Sequence, residues 1–203
     1  MRYSGRVVWC CRMLNYRALN LNLNIIVMKA SELKMLQAPL KESYQRNPET
    51  ACITLKAEGK IGEGISCKVD TGRALVEAGL HPATGGNGML ACSGDMLLEA
   101  LVACAGVTLS AVATAIGVEI ADGNIRAEGD LDFRGTLGVS KEAPVGFKAI
   151  RLFFSFTSNA TDEQISSLAR LTEKYCVVYQ TLTKGVHVQT FYDSLLTNSN
   201  GDI

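Results

Sequence analysis

The chain has 203 residues, 47% of them hydrophobic, with 20 basic and 20 acidic side chains and no formal net charge. That length accommodates one domain with a sizeable core, and the balanced charge removes bulk electrostatics as a reason to bind nucleic acid. Seven cysteines at irregular spacing, no CxxC and only two histidines argue against a metal site and against a secreted disulfide framework; free thiols in a reducing compartment fit better.

Residues 1–28, MRYSGRVVWCCRMLNYRALNLNLNIIVM, are basic and free of acid. They read as a stretch upstream of a true start at Met28, with an organelle transit peptide as the other reading. They hold no apolar run long enough for a secretory signal and stay outside the fold assignment. Residues 31–49 are a polar lead-in with Pro39 and Pro48, a short helix and a loop. The expected plan is an N-terminal extension over 1–49, a folded domain over 50–193 and a tail over 194–203.

From Ala51 to Ala78 apolar and polar residues alternate between glycines, which predicts two or three short antiparallel strands carrying Ile53, Leu55, Cys67, Val69 and Val76. GLHPATGGNG has the glycines of a phosphate loop but lacks the strand–GxxxxGK[ST]–helix context, so it is expected to be a flexible connection.

LLEALVACAGVTLSAVATAIG follows, with one charge, Glu99, between Leu97 and Gly117. Ser93 is placed to cap a helix, Asp95 suits its first turn and Gly117 its end. The run is long enough to span a bilayer. Its small residues, the lack of flanking cations and the amphipathic strands on both sides favour a core helix, and no membrane partner is expected. A helix apolar all round belongs at the centre of something larger.

IRAEGDLDFRG (125–135) alternates with Ile125, Ala127, Leu131 and Phe133 on one side, a strand with one wet face. FKAIRLFFSFTS (147–158) is a more apolar partner strand. Thr161 and Gln164 form a capping box for a helix with the stripe Ile165, Leu168, Leu171, Thr172 and Tyr175, ended by Cys176. GVHVQTFYD reads as a closing strand. Strands and helices that are not interleaved one for one predict an α+β fold.

Taken one at a time, Cys52, Cys67 and Cys92 read as structural or incidental thiols. Cys104 and Cys176 read as core thiols or as reactive ones, since free cysteine is among the most buried residue types. A cysteine hydrolase needs a placed histidine, and neither His81 nor His187 can be paired with Cys104 from the sequence.

CSGDMLLEALVACAGVTLSAVATAIGV resembles the first cysteine helix of the OsmC/Ohr family, where a segment of the form PEELLLAALAAC-x-x-x-TL carries the reactive cysteine. LLEALVACAGVTL puts Cys104 at that position. Cys176 falls where the family has its second cysteine, at a helix after a β-hairpin, and GLHPATGG is similar to its Gly-Gly loop. The order of elements agrees over residues 50–192. The resemblance implies antiparallel sheets wrapped around central helices in an intertwined homodimer of the cytoplasm, with organelle targeting by residues 1–27 left open. It also implies a thiol peroxidase. Cys104 takes oxygen from an organic hydroperoxide and becomes a sulfenic acid, and Cys176 condenses with it to a disulfide. An external dithiol reduces that bond, with no bound cofactor or metal. The alternative is a non-enzymatic member that binds a small apolar ligand in the dimer-interface pocket.

The activating residues of the family do not carry over one by one. Its arginine in the first hairpin corresponds to GKIGEGI, with Lys60, and Arg73 is nearby in DTGRA. Its glutamate ten residues before the cysteine corresponds to Gly94, beside Asp95. Glu99 falls on the far side of the helix from Cys104. The proline after the second cysteine is Val177. A reactive Cys104 in apolar surroundings then calls for a nearby cation, with Lys60, Arg73 and Lys174 as candidates.

Overall fold

The structure is a computed structural model that describes residues 28–55, 57–61, 66–70 and 75–192. The leader 1–27, Arg73 and the tail from residue 193 lie outside the described residues.

The lead-in forms α1, Ala30–Arg46, longer than its composition suggests. The Lys29 N–H donates to Glu32 at 3.0 Å at its start, and Arg46 pairs with Glu42 one turn earlier near its end. A 3-10 turn at Pro48–Ala51 follows. Residues 52–55 are not a strand, and Ile53 and Leu55 are exposed, contrary to the alternation read for them. Pairing begins only at β1, Glu58–Ile61, which is antiparallel to β2, Ser66–Asp70, itself antiparallel to β3, Leu75–Gly79. The short β4, Ala91–Cys92, adds to β3 in parallel and completes a four-stranded sheet.

The glycine-rich connection is a built turn. His81 Nδ1 accepts from the Ala83 N–H at 3.0 Å, and the Gly86 N–H returns to the His81 carbonyl at 3.1 Å. A Cβ on Gly86 would collide with the Leu80 carbonyl, so only glycine closes this turn.

The apolar run is α2, Ser93–Ile116. Cys92, with extended dihedrals, is its N-cap and accepts no backbone N–H through its side chain, so Ser93 is the first helical residue and not the cap expected of it. Gly117 ends the helix at φ +73°, and the Val118 N–H returns to the Ala113 carbonyl at 2.9 Å. The helix is long and apolar enough to cross a membrane. Here it is the core helix, but covered on one face only. Leu101, Ala105, Leu109, Val112 and Ala113 are buried, whereas Val107 is 73% exposed.

β5, Ile120–Asp130, and β6, Ala149–Ser158, form a separate antiparallel ribbon. Their pairing is one to one from Asp130↔Ala149 to Asp122↔Thr157. Period-two alternation therefore sorts the two faces. Ile125, Phe154 and Phe156 pack on Leu109, Val112, Ala113, Val118 and Leu168. On the wet face the Arg126 guanidinium lies 4.2 Å from the Phe153 ring centroid, and Arg151 holds Glu128 and Asp130. β5 starts earlier than read and stops before Phe133. The Asp132 carboxylate accepts the Arg134 N–H at 3.2 Å and turns the chain into the one-turn α3, Phe133–Thr136. Phe133 consequently stacks on His81, centroids 4.8 Å apart, instead of facing the core from a strand.

The capping box at Thr161 forms as read, with Thr161 N–H to Gln164 at 2.9 Å and Gln164 N–H to Thr161 at 3.3 Å. It opens α4, Asp162–Tyr175, whose buried residues are Leu168 and Thr172. Tyr175 is exposed, with the Lys174 ammonium 5.1 Å from its ring, and leaves the stripe assigned to it. Cys176 ends α4 and opens α5, Val177–Lys184, a helix the sequence reading did not contain. Residues 185–192 are then exposed and without regular secondary structure, where a closing strand was expected. Among the described residues they pair with no strand.

The result is a mixed α+β fold, as expected. α2 packs between the β5–β6 ribbon and the α4–α5 pair, and the four-stranded sheet joins through β4.

Candidate active site

Cys104 sits midway along α2, half-buried, and Cys176 at the α4–α5 junction is 1% exposed. The fold brings these two free thiols, 72 positions apart, close enough to act on each other. Each position has a local cause. The Leu101, Ala105 and Leu109 stripe turns this part of α2 toward α4, and the stripe ending in Leu168 and Thr172 aims the end of α4 back at it.

The junction supplies the electrostatics. Cys176 has φ −73° and ψ 109°, extended backbone between two helices. The chain therefore restarts a helix at Val177, and the first N–H groups of α5 have no carbonyl of their own to meet. Burial pushes the Cys104 thiol up. It is outweighed by the N–H of Val178, the Cys176 thiol, the N–H of Val177 and the Thr108 hydroxyl, so Cys104 is held below its ordinary pKa. Cys176 goes the other way. Burial raises it, the N–H of Tyr179 offsets part of that, and the neighbouring Cys104 adds to the rise. One thiol is poised to ionise and the other to keep its proton and donate it, the split that nucleophile and partner require.

Among the described residues, none of the groups that act on Cys104 is a cation. The positive end of α5 favours the thiolate there in place of one. Lys174 is turned toward Tyr175. Arg73 lies outside the described residues. Of Lys60 the structure describes the backbone, paired with Lys68 in the β1–β2 ladder. Glu99 is exposed on α2 and lines a shallow groove with Asp95, Leu98 and Val102. The sequence reading missed Thr108 and the two amides. Their signal was present in Lys184 followed by Gly185, a helix end eight residues after Cys176.

A cavity of about 480 Å³ lies against the segments that carry the thiols, though neither cysteine lines it. Leu101, one turn before Cys104, and Tyr179, one turn into α5, line it with Ile150, Leu152, Phe154 and Leu182. Of the other cysteines described with their side chains, Cys52 and Cys92 stay apart from this site. Cys92 caps α2 next to a separate hollow lined by His81 and Phe133, and Cys52 is exposed. Among the described residues no group of three or more His, Cys, Asp or Glu could hold a metal ion.

A family model described as OsmC-like protein matches residues 86–191, just over half of the chain and all of the segment that builds this site. Among solved structures, the chain is similar to an OsmC like protein from Mycoplasma pneumoniae, 18% identical over 66% of this chain and 89% of that one, with a TM-score of 0.55. It is also similar to an organic hydroperoxide resistance protein OsmC from Legionella pneumophila, 17% identical over 64% and 89%, with a TM-score of 0.51. At these identities the likeness carries the fold. No curated protein matches the chain at a significant level. With its cysteine helix, its second thiol and its order of strands accounted for, the chain belongs to the family of OsmC-like proteins.

Proposed function

We propose that this chain is a thiol peroxidase that reduces organic hydroperoxides through Cys104 and Cys176. The observation that carries the reading is the pair of neighbouring free thiols at the start of α5, with one pKa lowered and the other raised. The Cys104 thiolate attacks a peroxide oxygen. The S–O bond forms, the O–O bond breaks, and the alkoxide leaves as alcohol on taking a proton. Cys176 then displaces the oxygen from the sulfenic sulfur. The S–S bond forms and water departs with the thiol proton. An external dithiol returns both sulfurs to the thiol state. The aliphatic and aromatic part of the cavity, Leu101, Ile150, Leu152, Phe154 and Leu182, suits an alkyl substituent better than hydrogen peroxide, with Lys148 and Glu173 as its charged members.

The working unit in this proposal is a homodimer. Val107 and the exposed Val186, Val188 and Phe191 offer apolar surface that a second copy covers. Sedimentation should give a dimer at micromolar concentration, and Val107→Arg should dissociate it without unfolding the protomer.

The deciding experiment is intact mass before and after one equivalent of tert-butyl hydroperoxide. The wild type should lose two mass units and yield a linked Cys104–Cys176 peptide. Cys104→Ser should be inert, and Cys176→Ser should stop at a sulfenic acid that dimedone traps. The same cavity also supports a second reading, a non-enzymatic carrier of a small apolar ligand. It predicts an unchanged mass together with saturable binding of an apolar fluorophore.

A further inference from the structure

Thr172 is a buried polar residue with an exposure of 2%, and its hydroxyl oxygen has no hydrogen-bond partner. Helical hydroxyls usually escape that state by donating to the carbonyl one turn back. Thr108, Thr114, Ser166 and Thr183 all do so in this chain, at 2.8–2.9 Å. Thr172 does not. A buried hydroxyl left without a partner is destabilising, and valine fills the same volume without it, so the position asks for a reason.

Its place supplies one. Thr172 lies one helical turn before Cys176, and its carbonyl accepts the Cys176 N–H at 2.9 Å. Thr108 lies one turn after Cys104, with its hydroxyl in hydrogen-bond reach of that sulfur. A threonine thus lies one helical turn from each thiol, one on each helix. In the reduced protein the Thr172 hydroxyl finds no acceptor among the described residues. A strong acceptor arrives when Cys104 meets a hydroperoxide, because the atom that bonds to sulfur is oxygen.

We propose that Thr172 is a specificity residue for oxygen-bearing substrates, its hydroxyl donating to the peroxide oxygen as that atom bonds to the Cys104 sulfur. This rests on the peroxidase reading above. The bonds made and broken are those of that reaction. The Thr172 proton is shared and not transferred, and the hydrogen bond persists to the sulfenic acid until Cys176 expels the oxygen as water. The residue favours electrophiles whose reacting atom is oxygen and is indifferent to those whose reacting atom is carbon.

That difference gives the test. The full chain, reduced, is reacted in single turnover with tert-butyl hydroperoxide and separately with iodoacetamide, each followed at the Cys104 peptide by quench and mass spectrometry. Thr172→Val should slow the hydroperoxide reaction about tenfold, the loss of one well-placed hydrogen bond. It should leave iodoacetamide within about twofold, since thiolate formation does not use this hydroxyl. Thr172→Ser should recover most of the peroxide rate. Reduced Thr172→Val should melt no lower than the wild type, and Thr172→Ala serves as a second hydroxyl-free variant if valine fails to fold. Equal slowing with both reagents, or none with hydroperoxide, overturns the proposal while the wild type still forms its disulfide. A wild type inert to hydroperoxide overturns the peroxidase reading, and this inference with it.

Discussion

Replacing Val177 with proline takes one N–H away from the Cys104 sulfur and alters little else. Val177 is the first residue of α5, where the backbone N–H has no carbonyl within the helix and proline is favoured. Cys176 before it has ψ 109°, the extended conformation that a residue preceding proline prefers. The valine side chain is exposed, so little burial is lost. A hydrogen bond to a charged group contributes about 1.5–3 kcal/mol. The charge on sulfur is diffuse, and the Val178 N–H, the Cys176 thiol and the Thr108 hydroxyl remain, so a loss of about 1 kcal/mol is reasonable. At 25 °C that is roughly a fivefold fall in thiolate population below the pKa.

The assay is the pH dependence of iodoacetamide alkylation, read at the Cys104 peptide. The midpoint should move up, the rate at neutral pH should drop about fivefold, and the alkaline plateau should be unchanged. The linkage has a definite sign. Because the folded pKa of Cys104 lies below its unfolded value, the associated stability is present above the unfolded pKa and is lost as pH falls through the folded one. Cys176, raised on folding, contributes in the opposite sense. Val177→Pro should narrow the Cys104 window. Superimposable alkylation profiles from a folded Val177→Pro protein would refute the claim that the α5 amides hold the thiolate.

Leu168 is fully buried between α2 and the β5–β6 ribbon, so Leu168→Ala should cost about 2–5 kcal/mol in urea denaturation, seen as a lower midpoint. Gly117 holds φ +73°, so Gly117→Ala should cost about 1–2 kcal/mol by the same measurement without a change in activity. The Arg134 guanidinium beside Asp132 holds that carboxyl down to about 2, so its NMR titration should centre there and return toward the ordinary range in Arg134→Ala. Its pKa being lowered on folding, the stabilisation from this pair is complete above the ordinary carboxylate range and is lost as pH falls through about 2.

The sequence was most legible where one physical signal dominates. The Thr161–Gln164 box, the Gly117 stop and the alternation in β5 and β6 each act through a few neighbouring residues, and each was read close to its observed place. Misreadings arose where short-range rules compete. Phe133 keeps the alternation of a strand, but the cap from Asp132, the residue before it, wins. Ile53 and Leu55 alternate without a partner strand, and alternation stabilises nothing unpaired. The segment VVYQTLTK begins with two β-branched residues, weak helix formers, so α5 was passed over despite Gly185 behind it. Cys104 and Cys176 were legible through family resemblance. Their contact was not, because 72 residues of intervening chain carry no local record of which helix faces meet.

The unread helix bears on the charge that Cys104 calls for. Desolvation alone would leave Cys104 protonated, and among the described residues the α5 backbone supplies a partial positive charge against it. The supply depends on the break at Cys176. Were α4 to continue through it, the N–H groups of Val177 and Val178 would be spent on the carbonyls of Glu173 and Lys174 and could not reach a sulfur. The extended Cys176 frees them, and the junction is held from both sides. The Cys176 N–H closes α4 on the Thr172 carbonyl at 2.9 Å, the Cys176 carbonyl opens α5 by accepting the Gln180 N–H at 2.9 Å, and the Gln180 side chain covers the freed Glu173 carbonyl at 2.7 Å. A single residue therefore ends one helix, starts the next, releases the donors that favour the Cys104 thiolate and presents its own thiol beside it. The lowered pKa follows from where the helix stops, a property of backbone conformation that no count of charged side chains in the sequence would register.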